Sequence, residues 1–110
     1  MIIIDVAPEF EKCLKKLSKK YPSIKGDFAT FLVELEENPL MGDQIFENCR
    51  KVRMAISSKR QGKSGGARVI FYYEITENQI TLLYIYDKSY MENVKNDFIA
   101  QILKDYYKGK

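Results

Sequence analysis

The chain has 110 residues, 45% of them hydrophobic and 30% charged, which fits one globular domain (residues 1–110) and excludes a disordered segment. It has no histidine and two cysteines without CxxC spacing, Cys13 and Cys49, which removes imidazole catalysis and the common zinc sites. The net charge of +3 conceals one segment, residues 48–70, with seven basic side chains and no acid, the electrostatic footprint of a polyanion-binding surface.

The opening MIIIDV is β-branched and predicts a strand over residues 1–6; it is too short to span a membrane, and no signal-peptide pattern follows. A soluble, cytoplasmic protein is expected, with both thiols reduced and in or near the core. Pro8 suits the first turn of a helix, and Glu9 and Glu11 suit its positive end. Phe10, Cys13, Leu14 and Leu17 form one apolar stripe, and Tyr21-Pro22 ends the helix. Ser23 is placed to cap a second helix with the stripe Ile24, Phe28, Phe31, Leu32 and Leu35, ended by Asn38-Pro39. The two helices make a hairpin whose stripes need a sheet to cover.

Residues 38–48 read as a loop. Cys49 to Ile56 alternates as a strand, with Val52, Met54 and Ile56 inward and Lys51, Arg53 and Ala55 outward. Ser57 to Gly66 is a polar, basic connection, Arg68 to Ile75 the next strand, Glu77-Asn78-Gln79 a tight turn, and Ile80 to Tyr86 a further strand. From Ser89 a helix is expected, with Ser89 and Glu92 as a capping box and Met91, Val94, Phe98, Ile102 and Tyr106 along one side. The order βααβββα predicts an α+β fold with a mostly antiparallel sheet, the N-terminal helical hairpin packed on it and a C-terminal helix.

Gly62-Lys63-Ser64 looks like the end of a nucleotide-binding P-loop. The position five before Gly62 is Ser57 rather than glycine, and a β run follows instead of a helix, so the amides and dipole that hold a β-phosphate are missing. A different phosphate fits better. If the three basic and aromatic strands are neighbours, Lys51, Arg53, Arg68, Tyr86 and Lys88 converge on one side of the sheet, with Tyr84 beside Tyr86 and opposite Leu83 and Ile85. Arginines can hold a phosphodiester and stabilise charge growing on it, and a lysine or tyrosine can move the proton of a ribose 2′-OH or of the leaving oxygen. Aromatic faces can stack on bases. The alternative from pattern alone is tyrosines in the core with Lys and Arg on a solvated face. Arg68 is expected to face solvent.

The run KVRMAISSKRQGKSGGARVIFYY, Lys51 to Tyr73, followed by LLYIYDKSYMEN, Leu82 to Asn93, resembles the RelE/ParE superfamily of bacterial toxins, and within it the HigB-like RelE branch. KKYPSIKGDF and ENPLMGDQI upstream fit the same layout. The resemblance implies the RelE-like fold and the toxin of a type II toxin–antitoxin pair, a ribosome-dependent endoribonuclease that cuts translated mRNA through 2′-OH attack. No cofactor and no metal are expected. Carried over position by position, Arg68 stabilises the transition-state phosphate, Lys51 and Arg53 position phosphates, and Lys88 or Tyr86 supplies acid–base function. Lys59, Arg60 and Lys63 of the loop, with Arg50 on the basic strand, bind RNA backbone. Implied partners are the ribosome with its mRNA and a cognate antitoxin, a helix-turn-helix protein encoded by a neighbouring gene. The superfamily also contains gyrase inhibitors without nuclease activity. A ParE-like gyrase inhibitor or a non-cleaving ribosome- or nucleic-acid-binding module is therefore the alternative.

Overall fold

The structure, a computed structural model, describes residues 2–109. Its elements run β1 (Ile3–Val6), α1 (Pro8–Lys20), α2 (Ile24–Glu37), β2 (Asp43–Phe46), β3 (Cys49–Met54), β4 (Ala67–Glu74), β5 (Gln79–Asp87) and α3 (Asn96–Lys108), with a short 3-10 turn at Ser57–Lys59. The strands form one sheet in the order β1-β5-β4-β3-β2; β1 runs parallel to β5 and the other pairs are antiparallel. The α+β class, the helical hairpin and the C-terminal helix are as expected. Met1, assigned to the first strand, lies outside the described residues.

The hairpin covers one face of the sheet. Phe10, Ile24, Phe31 and Leu35 pack there on Val52, Met54, Val69, Phe71, Leu82 and Ile85. Helix α3 covers part of the other face, with Ile99 and Ile102 against Cys49, Ile70 and Leu83. Helix α1 carries the end signals read from its sequence, with Pro8 in the first turn beside Glu9 and Glu11, and Lys19 and Lys20 in the last. No helix among the described residues is long and apolar enough to cross a membrane.

Four local expectations are corrected. Residues 43–46, expected within a loop, form strand β2, because Gln44 and Phe46 pair with Arg50 and Cys49 of β3 around a turn in which Glu47 adopts a positive φ of 43°. The pairing, rather than the weak alternation of DQIF, makes this strand. Ser23 stands at the N-cap of α2 but caps nothing; its hydroxyl donates to Asp27 at 2.7 Å and meets Ser58. Helix α3 begins at Asn96, not near Ser89, since Ser89 is used by the end of β5: its N–H donates to Asp87 Oδ1 at 2.9 Å. Met91 accordingly lies outside the helix and is exposed, and the buried stripe is Ile99 and Ile102. Finally, the β4–β5 register slips so that Ile70 pairs Tyr84 while Phe71 pairs Leu82. This bulge puts Leu83 on the α3 face together with Tyr84, where strict alternation puts it opposite.

Gly66 ends the long connection and lies against the backbone of β3. A Cβ there would stand 2.3 Å from the Met54 carbonyl oxygen and 2.9 Å from the Ile56 nitrogen. Gly66→Ala must therefore push two strands apart, and a loss of at least about 1–3 kcal/mol is expected by analogy with overpacking. Urea unfolding of the purified variant measures it, as a lowered midpoint.

Candidate functional site: a basic row across three strands

Strand register brings the expected residues together. Arg53 of β3 is opposite Arg68 of β4, and Arg68 is opposite Tyr86 of β5. One row down, Lys51 is opposite Ile70, which is opposite Tyr84. The face is the one α3 covers, but α3 sits lower: its Phe98 ring packs edge-on against Tyr84 at 5.1 Å, and Tyr84 in turn lies 6.1 Å from Tyr86. The basic row lies beyond α3, where Arg68 and Tyr86 are buried and Arg53 is exposed. The larger surface grooves lie elsewhere, one of about 640 Å³ between α1 and α2 and lined by Leu14, Ile24 and Phe28 among others.

Arg68 is not solvent-facing as expected; only 7% of it is exposed. Its Nη1 donates to the carbonyls of Lys63 and Ala67, and its Nη2 to the carbonyl of Ser64 at 2.9 Å. The connection 60–66 wraps over the arginine, and the arginine in turn holds that connection. Burial and the neighbouring Arg53 charge lower the Arg68 pKa from its ordinary value. Three of these bonds leave N–H donors of the guanidinium still available. Arg53 is exposed and is engaged in neither a hydrogen bond nor an ion pair among the described residues. Two adjacent guanidinium groups without a carboxylate between them make a strong attractor for an anion.

Tyr86 is buried, and burial raises its phenol pKa even though the Arg68 charge pulls it down. The phenol therefore stays protonated at neutral pH and acts as a donor. The segment after β5 lies along this face: the Tyr86 hydroxyl reaches the Glu92 carbonyl at 3.4 Å, Lys88 the Glu92 carboxylate at 3.4 Å, and Lys51 the Asn93 side chain at 3.1 Å.

The four residues read as RNA contacts are placed differently. Lys59 is turned to the opposite face of the sheet. Its side chain is 7% exposed, and its ammonium pairs with Asp87 Oδ1 at 2.7 Å and donates to the Ser89 hydroxyl at 2.6 Å. Asp87 alternates with Tyr86 and so points to the hairpin, where Tyr21 donates to its Oδ2 at 2.5 Å. Burial alone would raise the Asp87 pKa, but the hydrogen bonds from Lys59, Tyr21 and the Ser89 N–H hold it down at about 2. The shared hydrogen bond pushes the Tyr21 phenol up to about 12. Lys63 reaches Glu34 of α2 at 2.8 Å in an exposed pair. Arg50 donates to the carbonyls of Met41 and Gly42, bracing the turn into β2. Arg60 is exposed, in a left-handed conformation that closes the 3-10 turn.

Asp87 is not singled out by the sequence, which marks Tyr21 and Glu92 only as a helix stop and a helix cap. Parity carried a signal for Asp87: a lone acid one residue past the basic row falls on the hairpin face, where it requires a buried cation.

No protein-family model matches the chain. Among solved structures, the architecture is that of bacterial RelE-like toxins, a helical hairpin and a C-terminal helix on a mostly antiparallel sheet; the chain has this fold. A mutant of the E. coli toxin RelE in the free state is 14% identical with a TM-score of 0.57, covering 97% of this chain and 95% of that one. The isolated E. coli RelE toxin is 15% identical with a TM-score of 0.55, covering 96% and 98%.

Proposed function

We infer that the protein is the toxin of a type II toxin–antitoxin pair and acts as a ribosome-dependent endoribonuclease on translated mRNA. The observation that supports it most is the Arg53–Arg68–Tyr86 row, two guanidinium groups and a phenol in register across three strands without an acid among them. In the reaction the ribose 2′-oxygen attacks the adjacent phosphorus as its proton leaves. The bond from phosphorus to the 5′-oxygen breaks, leaving a 2′,3′-cyclic phosphate and a 5′-hydroxyl end. Arg53 and Arg68 stabilise the charge that grows on the phosphoryl oxygens. Tyr86, kept protonated by burial, suits the donor to the departing 5′-oxygen, while the 2′-OH proton passes to water and the Lys88 ammonium at the strand end stabilises the charge growing on the 2′-oxygen. Lys51 positions a neighbouring phosphate. Arg60 is the loop cation best placed to meet RNA, and Lys63 can join it by leaving the exposed pair with Glu34. The cognate antitoxin is the expected partner, covering the basic face until it is degraded.

Tyr86→Phe removes the proton and keeps the ring. The expected result is a fall of about 10²-fold or more in the single-turnover rate on mRNA-programmed ribosomes, with ribosome affinity unchanged. A rate equal to wild type would remove Tyr86 from the reaction.

A further inference from the structure

The buried node on the hairpin face does more than join elements. Asp87 receives the Lys59 ammonium at 2.7 Å, the Tyr21 hydroxyl at 2.5 Å and the Ser89 N–H at 2.9 Å, and it is the last residue of β5, between Tyr86 and Lys88. Lys59 begins the connection whose later carbonyls, of Lys63 and Ser64, hold Arg68. The start of this connection is fixed a second time, since Asp27 of α2 accepts the Ser57 N–H at 2.9 Å and its hydroxyl at 2.5 Å. Its end is fixed where the Lys88 N–H donates to the Gly66 carbonyl at 3.1 Å.

We propose that the Lys59–Asp87–Tyr21 node is a positioning device for the anion site on the opposite face of the sheet. By clamping the 57–66 connection to the end of β5, it sets the carbonyl cradle that aims the Arg68 guanidinium and fixes the strand end that carries Tyr86 and Lys88. The three residues touch no substrate. They act through Arg68, Tyr86 and Lys88. The kinetic consequence rests on the endoribonuclease reading; the geometric one does not.

Three variants test it: Tyr21→Phe, Asp87→Asn and Lys59→Met, with Lys59→Arg as the conservative rescue. The first readout is rotation of the Arg68 guanidinium about its Nε–Cζ bond, followed by NMR in the free protein and hindered while both Nη atoms are held by carbonyls. In folded variants this rotation is expected to speed up at least about tenfold while the β4 backbone amides keep their protection, a local loosening without global unfolding. Lys59→Arg is expected to restore slow rotation. The second readout is cleavage on programmed ribosomes, where kcat is expected to fall roughly 10- to 100-fold with KM nearly unchanged, the signature of a misplaced reacting group. If Lys59→Met fails to fold, the two milder variants decide. Unchanged Arg68 rotation in folded Asp87→Asn and Tyr21→Phe overturns the proposal. If wild type does not cleave mRNA, the endoribonuclease reading fails, and the rotation measurement alone still decides whether the node positions Arg68.

Discussion

Arg53→Ala is expected to abolish mRNA cleavage and growth arrest while leaving the protein folded. The side chain is exposed and engages no hydrogen-bond or ion-pair partner among the described residues, so its loss removes no such bond among them. On the proposed reading, the substitution removes one of the two positive charges that would face the phosphoryl oxygens. Deleting one such preorganised donor costs about 10²- to 10³-fold in rate, which in a cell separates arrest from normal growth. Thermal unfolding is expected to match wild type within a few degrees. A stronger contrast comes from Arg68→Ala, which removes the second charge and also three bonds to the carbonyls of residues 63, 64 and 67. That variant is expected to lose both cleavage and stability, so Arg53→Ala is the cleaner probe of chemistry. An Arg53→Ala protein that cleaves at the wild-type rate would take the phosphate away from this row.

Lys59→Ala is expected to destabilise the fold by about 3–5 kcal/mol, the usual cost of leaving one member of a buried ion pair uncompensated. Asp87 is only 3% exposed and would keep its charge with a hydroxyl and an N–H as its remaining donors. The same node imposes an acid dependence on the wild-type protein. The Asp87 pKa falls from 3.8 to about 2 on folding, so the group contributes on the order of 2 kcal/mol. A depressed carboxylate pKa stabilises above the unfolded value, so this contribution is complete above about pH 4 and is lost as pH falls through about 2. Urea unfolding of wild type and Asp87→Asn between pH 2 and 6 measures it: the gap between them should close at the acid end. A gap independent of pH would contradict the ion pair.

Much of the fold was legible because its signals are local and repeated. Pro8, the acids after it and the 3.6-residue stripe from Phe10 to Leu17 agree on one helix, and Val52, Met54, Val69 and Phe71 alternate as strand residues facing a core must. Parity put Arg53, Arg68 and Tyr86 on one face only on the condition that their strands are neighbours, and the strand order and register meet that condition. What failed depends on contacts between distant residues. Strand β2 exists through its pairing with β3, and the Ile70/Phe71 slip that moves Leu83 is a property of two strands together. Helix α3 starts late because Asp87 recruits Ser89. Lys59 looked like one more cation in a basic run, and only the fold shows that it turns inward to an acid 28 residues away. Arg68 lay on the expected face, but the connection that covers it carries no periodic signal, so its burial could not be read.

The measurement that tests the central claim most directly is incubation of the purified protein with ribosomes carrying an mRNA codon in the A site, followed by mapping of the RNA ends. The predicted result is cleavage within the exposed codon, with a 2′,3′-cyclic phosphate on the upstream fragment, a 5′-hydroxyl on the downstream one, and neither product from Arg53→Ala. Intact mRNA under these conditions, above all with loss of gyrase supercoiling activity in a parallel assay, would contradict it.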